Sequence, residues 1–277
     1  MPELPEVEIV SRHLARLVTG RRITAARLLR GRLSPFSSPE KFASDITDGS
    51  IDKIGRRGKH ILFGLSNGNT LIVHLRMSGR FILQAAEHDA PKFSHAQFDL
   101  DDGQVLHFTD QRHFGMMKVA GTDVLLESKE LASLAPEPFD PAFSPEYLYG
   151  SLRSTKRTIK ETLLDQTKVC GLGNIYASEA LFLSQIDPRI PANRISKMRT
   201  SRLHSAIQDV LTEALSAGDT VPVLPENVGG NFYGNDATGE WRVYGREGEP
   251  CVNCARPVVR LVQGGRSTFF CRACQRR

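Results

Sequence analysis

The chain has no apolar run long enough to cross a membrane, and its start, MPELPEVE, is acidic and proline-broken rather than a signal peptide. Cysteine is scarce: there are five, four of them within the last 27 residues, which excludes a disulfide scaffold spread over the fold. Internal repeats and low-complexity tracts are absent, so this is no repeat array. Acidic residues are missing altogether from Cys251 to Arg277, where six arginines stand. Soluble surfaces normally mix signs, so a tail with arginines and no carboxylates points to a polyanion partner. The stretch Ser151–His204 leans the same way, with ten Lys or Arg against four Asp or Glu.

What is present fits that partner. The 277 residues carry 36 basic and 31 acidic side chains, a formal charge of +5, and 40% are hydrophobic. That length suits about two domains, each with a packed core, and rules out a disordered tail protein. Pro5 with Glu6 and Glu8 opens a helix near 5–18, with Val7, Val10, Leu14 and Leu17 at helical spacing. From about Ile51 the period shortens. HILFGL-SNGN-TLIVHL and FDL-DDG-QVLHF read as hairpins around Asn-Gly and Asp-Gly turns, predicting an antiparallel sheet domain, a sandwich, that ends near residue 125. Four prolines between Pro136 and Pro145 mark a linker. Helices are expected at 145–165, 174–185 and 194–217, and the Pro-, Gly- and Asn-rich stretch Gly218–Glu240 should be a long mobile loop.

Cys251-x2-Cys254 and Cys271-x2-Cys274 have the spacing of a closed four-thiolate zinc site, which leaves no open position for catalysis. A redox pair or two disulfides are the alternatives. Zinc would order a small hairpin finger with little core of its own, and Arg266 would ride its tip. Cys170 reads as a small buried side chain.

Four collinear motifs, PELPEVE, GLGNIYASEALF (171–182), VYGREGEPC (243–251) and the cysteine tail, resemble the bacterial formamidopyrimidine-DNA glycosylase family over essentially the whole chain. The resemblance implies an α+β multidomain fold: an N-terminal antiparallel β-sandwich with flanking helices, a C-terminal helix–two-turn–helix domain and a four-cysteine zinc finger. The expected division is a catalytic domain at 1–130, a linker at 131–145, a DNA-binding domain with lesion-capping loop at 146–240 and the finger at 241–277. It implies base-excision repair of oxidised purines, 8-oxoguanine and formamidopyrimidines, with β,δ-elimination at the abasic site. The cofactor would be one structural Zn2+ and the partner damaged double-stranded DNA. A monomer in the bacterial cytoplasm, associated with the nucleoid and not with a membrane, is expected.

By resemblance, Pro2 is the nucleophile once Met1 is removed. A terminal amine titrates near pH 8 against above 10 for lysine, so far more of it is neutral at pH 7. Glu3 matches the acid, Lys59 the lysine near the lesion phosphate, and Arg266 the finger arginine that grips phosphates. Glu6 and Glu179 match supporting carboxylates. Met77, Arg112 and Phe114 match the residues that fill the gap left by a flipped base, and Asn174 matches a phosphate contact at a helix start. Lys156 (or Thr155, by register) and His95 match further DNA contacts. Three departures stand out: Phe93 replaces a DNA-contacting histidine, the register around Lys156 is ambiguous, and the segment after Ala217 lacks the usual capping sequence. That last departure predicts reduced discrimination of 8-oxoguanine. Two alternatives remain open: a member narrowed to abasic-site or pyrimidine-lesion processing, and a non-catalytic zinc-finger protein that binds damaged DNA. The joint presence of Pro2, Glu3, Lys59 and Arg266 argues against the second.

Overall fold

The computed structural model describes residues 1–218, 224–228 and 241–276. The chain forms two units, one built from 1–132 with Gly218 and 224–228, the other from 133–217 and 241–276.

In the first unit the order is α1 (Leu4–Val18), β1 (Ile23–Leu28), α2 (Pro39–Ile46), β2 (Ile51–Arg57), β3 (His60–Leu65), β4 (Asn69–His74), β5 (Gly79–Ala85), β6 (Ser94–Leu100), β7 (Gln104–Asp110) and β8 (Met116–Gly121). Two four-stranded antiparallel sheets result, ordered β1-β6-β7-β5 and β2-β3-β4-β8. Both expected hairpins form, β3–β4 and β6–β7, with Gly68 and Gly103 each at φ 81°, the left-handed conformation that their turns require. The sheets face each other as a sandwich: Phe63 of β3 lies 5.5 Å from Phe81 of β5, which in turn meets Phe108 edge-on at 5.3 Å. Val7, Val10, Leu14 and Val18 of α1, and Phe42 and Ile46 of α2, are buried in the same cluster. Each such side chain stabilises by about 1.5–3 kcal/mol relative to exposure.

The expected mobile loop is corrected in part. Residues 224–228 are docked on β5: the Leu83 N–H donates to Pro225 O at 2.6 Å and Val228 N–H to Phe81 O at 3.3 Å. The Val228 side chain is fully buried, and its carbonyl lies 2.7 Å from Nδ1 of the buried His13. The edge strand supplies unpaired amides and carbonyls, and a passing segment satisfies them. This segment therefore belongs with the first unit and not with the helical one. The remainder of the expected capping loop, 219–223 and 229–240, lies outside the described residues.

The second unit holds α3 (Pro145–Arg153), α4 (Ile159–Leu163), α5 (Asn174–Leu183), α6 (Lys197–Gly218), β9 (Val259–Gln263) and β10 (Arg266–Phe270). The single helix expected at 145–165 is two. The first ends at Arg153, and Thr158 starts the second: its hydroxyl caps α4 in a reciprocal box with Glu161, while Ile159 N–H pairs with Ile190 O at 2.7 Å instead of continuing the first helix. Likewise α6 begins at Lys197, after a 3-10 turn at Ala192–Arg194, with the Ser196 hydroxyl accepting from Arg199 N–H at 3.4 Å. The proline-rich segment is packed rather than loose: Phe143 is buried and stacks on His204 at 5.1 Å. Among the described residues no helix is long and apolar enough to cross a membrane.

Candidate active site and nucleic-acid interface

Glu3 is the N-cap of α1 and Glu6 its N3 residue, the Glu6 carboxylate accepting from Glu3 N–H at 2.7 Å. Pro2, Glu3 and Glu6 are all buried, while Met1 projects 45% exposed. Glu8, one turn on, binds Arg12 at 2.9 Å and Arg56 of β2 at 2.8 Å. Arg56 also donates to Gly58 O at 2.9 Å, so one ion pair ties the start of α1 to the β2–β3 turn. That turn contains Gly58, at φ 58°, and Lys59, a lysine only 6% exposed. Burial of a lysine at a hairpin tip is uncommon and marks it as more than a solvated charge.

Behind Lys59, His60 and His74 face each other across β3 and β4, edge-on at 4.8 Å. Burial lowers His60 to about 4, with the Arg57 carbonyl opposing and Arg76 adding repulsion. Burial also drives His74 well below its usual value, helped by His60, Arg76 and Lys59. Both rings are neutral at pH 7, which leaves the positive charge of this corner on Lys59 and Arg76.

Met77 and Phe114 are exposed, at 37% and 48%, and the Arg112 guanidinium lies 5.3 Å over the Phe114 ring. His95, expected as a DNA contact, is packed against a neighbour. It is buried, stacks flat on His113 at 4.8 Å, and its Nε2 lies 2.9 Å from His113 Nδ1. Burial first, then the neighbouring His113, lowers its proton affinity. Phe93 is 48% exposed and holds a left-handed φ of 62°.

In the second unit, Glu179 is 1% exposed and its carboxylate is consumed by backbone. One oxygen accepts from Val243 and Tyr244 N–H at 2.9 and 3.0 Å, the other from Arg242 N–H at 3.0 Å. It thereby fixes the segment that leads into the finger. Asn174 opens α5 directly after Gly173, and its amide donates to Ser267 O at 2.9 Å, beside Arg266. The structure thus brings two predicted phosphate contacts together. Beneath them lies Lys160, which sequence reasoning missed: 1% exposed, it donates to Asn174 O at 2.9 Å and to the Ser178 hydroxyl. Its position on the apolar face of α4, between Ile159 and Leu163, was the available signal. Lys156, in contrast, is exposed on the loop before α4.

Gly264 and Gly265, at φ 53° and 74°, make the two-residue turn that puts Arg266 first on β10. Arg266 lines a polar cleft of about 230 Å3 with Arg157, Glu161, Asp165 and Gln263. The four tail cysteines place their sulfurs within 4.8 Å of one another, with Cys251–Cys274 at 3.8 Å and Cys254–Cys271 at 3.5 Å. Sulfurs about 2.3 Å from one tetrahedral zinc lie about 3.8 Å apart, whereas a disulfide needs about 2.05 Å. The donor set fits a closed zinc site and excludes the disulfide alternative. Among the described residues, Phe182, Val243 and Val258 join Cys251 and Cys271 in the buried cluster under the finger, with Phe269, Ala273 and Cys274 packed against it.

Comparison with known proteins gives the family. Residues 1–117 match the formamidopyrimidine-DNA glycosylase N-terminal domain, 134–223 its H2TH domain, and 248–277 the zinc finger found in FPG and IleRS. The chain is 39% identical over 276 residues to formamidopyrimidine-DNA glycosylase of Pelotomaculum thermopropionicum, covering 100% of this chain and 99% of that protein. It is 40% identical to that of Rickettsia conorii, covering 99% of each. The chain belongs to the formamidopyrimidine-DNA glycosylase family. It is a base-excision-repair DNA glycosylase for oxidised purines with abasic-site lyase activity. Among solved structures, that of the Lactococcus lactis glycosylase bound to DNA containing an abasic site has a TM-score of 0.88 at 32% identity, covering 99% of this chain and 100% of that one. The complex of the same enzyme with N7-benzyl-Fapy-dG DNA gives 0.89 at 31%, with full coverage of both.

Proposed function

We propose that Pro2, freed by removal of Met1, attacks C1′ of the damaged nucleotide and displaces the oxidised base, which leaves with the glycosidic electron pair. Opening of the sugar yields a Schiff base between the proline nitrogen and C1′. Loss of the C2′ proton then expels the 3′ phosphate, a second elimination expels the 5′ phosphate, and water releases the sugar fragment. Glu3 protonates the ring oxygen as the sugar opens and shuttles protons during elimination. Lys59 serves the first elimination from beside the phosphate. Arg266 and Asn174 grip the flanking phosphates, while Glu6 and Glu179 hold their surroundings. Met77, Arg112 and Phe114 occupy the stack after flipping, with Arg112 bonding to the orphaned cytosine. His95, stacked on His113, and the exposed Lys156 add further DNA contacts.

The observation that carries this reading is Glu3: a buried carboxylate, immediately after Pro2, fixed as the cap of α1. One zinc ion on Cys251, Cys254, Cys271 and Cys274 is structural, and holds the Arg266 turn. The unit boundaries support a catalytic domain to about residue 130 and a DNA-binding domain that carries the finger. The substrate is damaged duplex DNA, a reading supported by the solved neighbours' complexes with DNA; the protein works as a monomer in the bacterial cytoplasm, at the nucleoid. Borohydride trapping on an 8-oxoguanine duplex tests it: a covalent adduct whose linkage maps to Pro2 is expected, and an adduct at any lysine overturns the assignment.

A further inference from the structure

Asp110, the last residue of β7, is fully buried, and two exposed loops meet on its carboxylate. One oxygen accepts from the Ser78 hydroxyl and from Arg112 N–H at 3.1 Å; the other accepts from Gly115 N–H at 2.6 Å. Arg112 N–H also lies 3.0 Å from the Ser78 oxygen. Ser78 follows Met77 in the β4–β5 turn, and Arg112 and Gly115 flank Phe114. A third loop joins through the backbone, with Asp110 N–H donating to Phe93 O at 3.0 Å.

The backbone around this carboxylate is held in conformations that it would not keep alone. Arg76, Phe93 and His113 are left-handed at φ 55°, 62° and 57°, one in each loop. The Arg76 turn is also fixed from the strand side, where Arg76 N–H donates to His74 Nδ1 at 3.0 Å. Gly79 and Gly115 are pressed onto Phe108: a Cβ at Gly79 would lie 2.7 Å from that ring and 2.5 Å from Leu75 O, and one at Gly115 2.8 Å from the ring. Met77 and Phe114, being exposed, have little packing to hold them, so their placement depends on these hydrogen bonds.

We infer that Asp110 is a positioning residue for base flipping: it locks the Met77 turn and the Arg112–Phe114 loop into one preformed wedge before DNA arrives. The inference rests on the reading of Met77, Arg112 and Phe114 as the wedge. A wedge assembled in advance does not have to be ordered at the moment of flipping, when unstacking already opposes the step. An asparagine at 110 sets an amide donor where the carboxylate accepted either from Ser78 and Arg112 N–H or from Gly115 N–H, so at least one backbone donor loses its acceptor and the join loosens without emptying the site.

The test uses the full-length, zinc-loaded protein and three readouts: single-turnover excision of 8-oxoguanine from a duplex, fluorescence of 2-aminopurine beside the lesion, and nicking of single-stranded abasic DNA, which needs no flipping. Asp110→Asn should slow duplex excision by about 10–100-fold and shrink the fluorescence change, leaving single-stranded nicking within about 2-fold. Ser78→Ala removes one donor and should slow excision by about 3–10-fold in the same pattern, which covers the case in which the Asp110 variant does not fold. A parallel loss of single-stranded nicking would show a purely structural role and overturn the proposal. So would unchanged excision in both variants while Met77→Ala slows it. If Met77→Ala leaves the fluorescence change intact, the wedge reading fails, and this proposal with it.

Discussion

Lys59 lies in, and Arg266 directly after, a two-residue hairpin turn that begins with a left-handed glycine, yet the turns are held by different means. The Gly58–Lys59 turn is backed by the large sandwich core, braced by Glu8 and Arg56, and its lysine is buried. The Gly264–Gly265 turn carries an exposed arginine on a two-stranded ribbon whose buried cluster is five residues, two of them cysteines. A turn can be fixed by apolar burial where a domain is large enough, and needs a metal where it is not. The first region should therefore be sensitive to whatever charges its interior, and the second to whatever removes its ion.

The largest expected effect separates chemistry from grip. Protein that retains Met1 has an amide at Pro2, with no lone pair to donate, so borohydride trapping should fall to background while lesion-DNA binding persists. Intact-mass analysis paired with trapping checks this, and trapping through the terminus of Met1-retaining protein would sink the role of Pro2. Next comes the metal. Chelation of zinc, or Cys254→Ser, should weaken lesion-duplex binding by at least about 100-fold in fluorescence anisotropy, because the Arg266 turn loses its support. The first unit should keep its thermal transition. If affinity survives verified zinc removal, the contrast between the two turns collapses.

Acid attacks the other side of the comparison. His60 titrates near 4 in the fold against 6.5 unfolded, so between those values the unfolded chain binds more protons. Stability is therefore flat above about pH 6.5 and declines as pH falls toward 4, by up to about 3 kcal/mol from this residue. His74, which faces it edge-on, is lowered as well, and Glu130, partly buried but held low by Lys118, stays ionised through most of that window. Urea unfolding at pH 7.5 and 5 should show the loss, and His60→Gln should reduce it, leaving the part that belongs to His74. The smallest effect is in salt dependence. Lys59→Ala and Arg266→Ala should each reduce the slope of log affinity against log salt by about one, while Met77→Ala leaves the slope unchanged. Equal slopes in all three variants would remove the phosphate contacts from both turns.

Much of the site was legible before any coordinates. The Asn-Gly and Asp-Gly hairpins, the helix behind Pro5 and the four-cysteine knuckle all depend on residues a few positions apart, where turn geometry, helical period and ligand spacing act locally. Three features that the sequence did not show share the opposite cause. The helix at 145–165 breaks because Ile159 pairs with Ile190, about thirty residues on. Residues 224–228 dock because β5 has an open edge, and His95 is buried because His113 covers it. Each depends on a partner that no local window contains.

The sequence by itself determined the family, the four-cysteine cluster and the glycine turns, since these follow from residue type, order and spacing along the chain. Only the tertiary structure decided that Lys59 is buried against two neutral histidines, that Glu179 spends its carboxylate on three backbone amides, and that Asp110 joins the Met77 and Phe114 loops. The reason is that a charge or a hydrogen bond is defined by what surrounds it in space, and burial brings together groups that the chain keeps far apart.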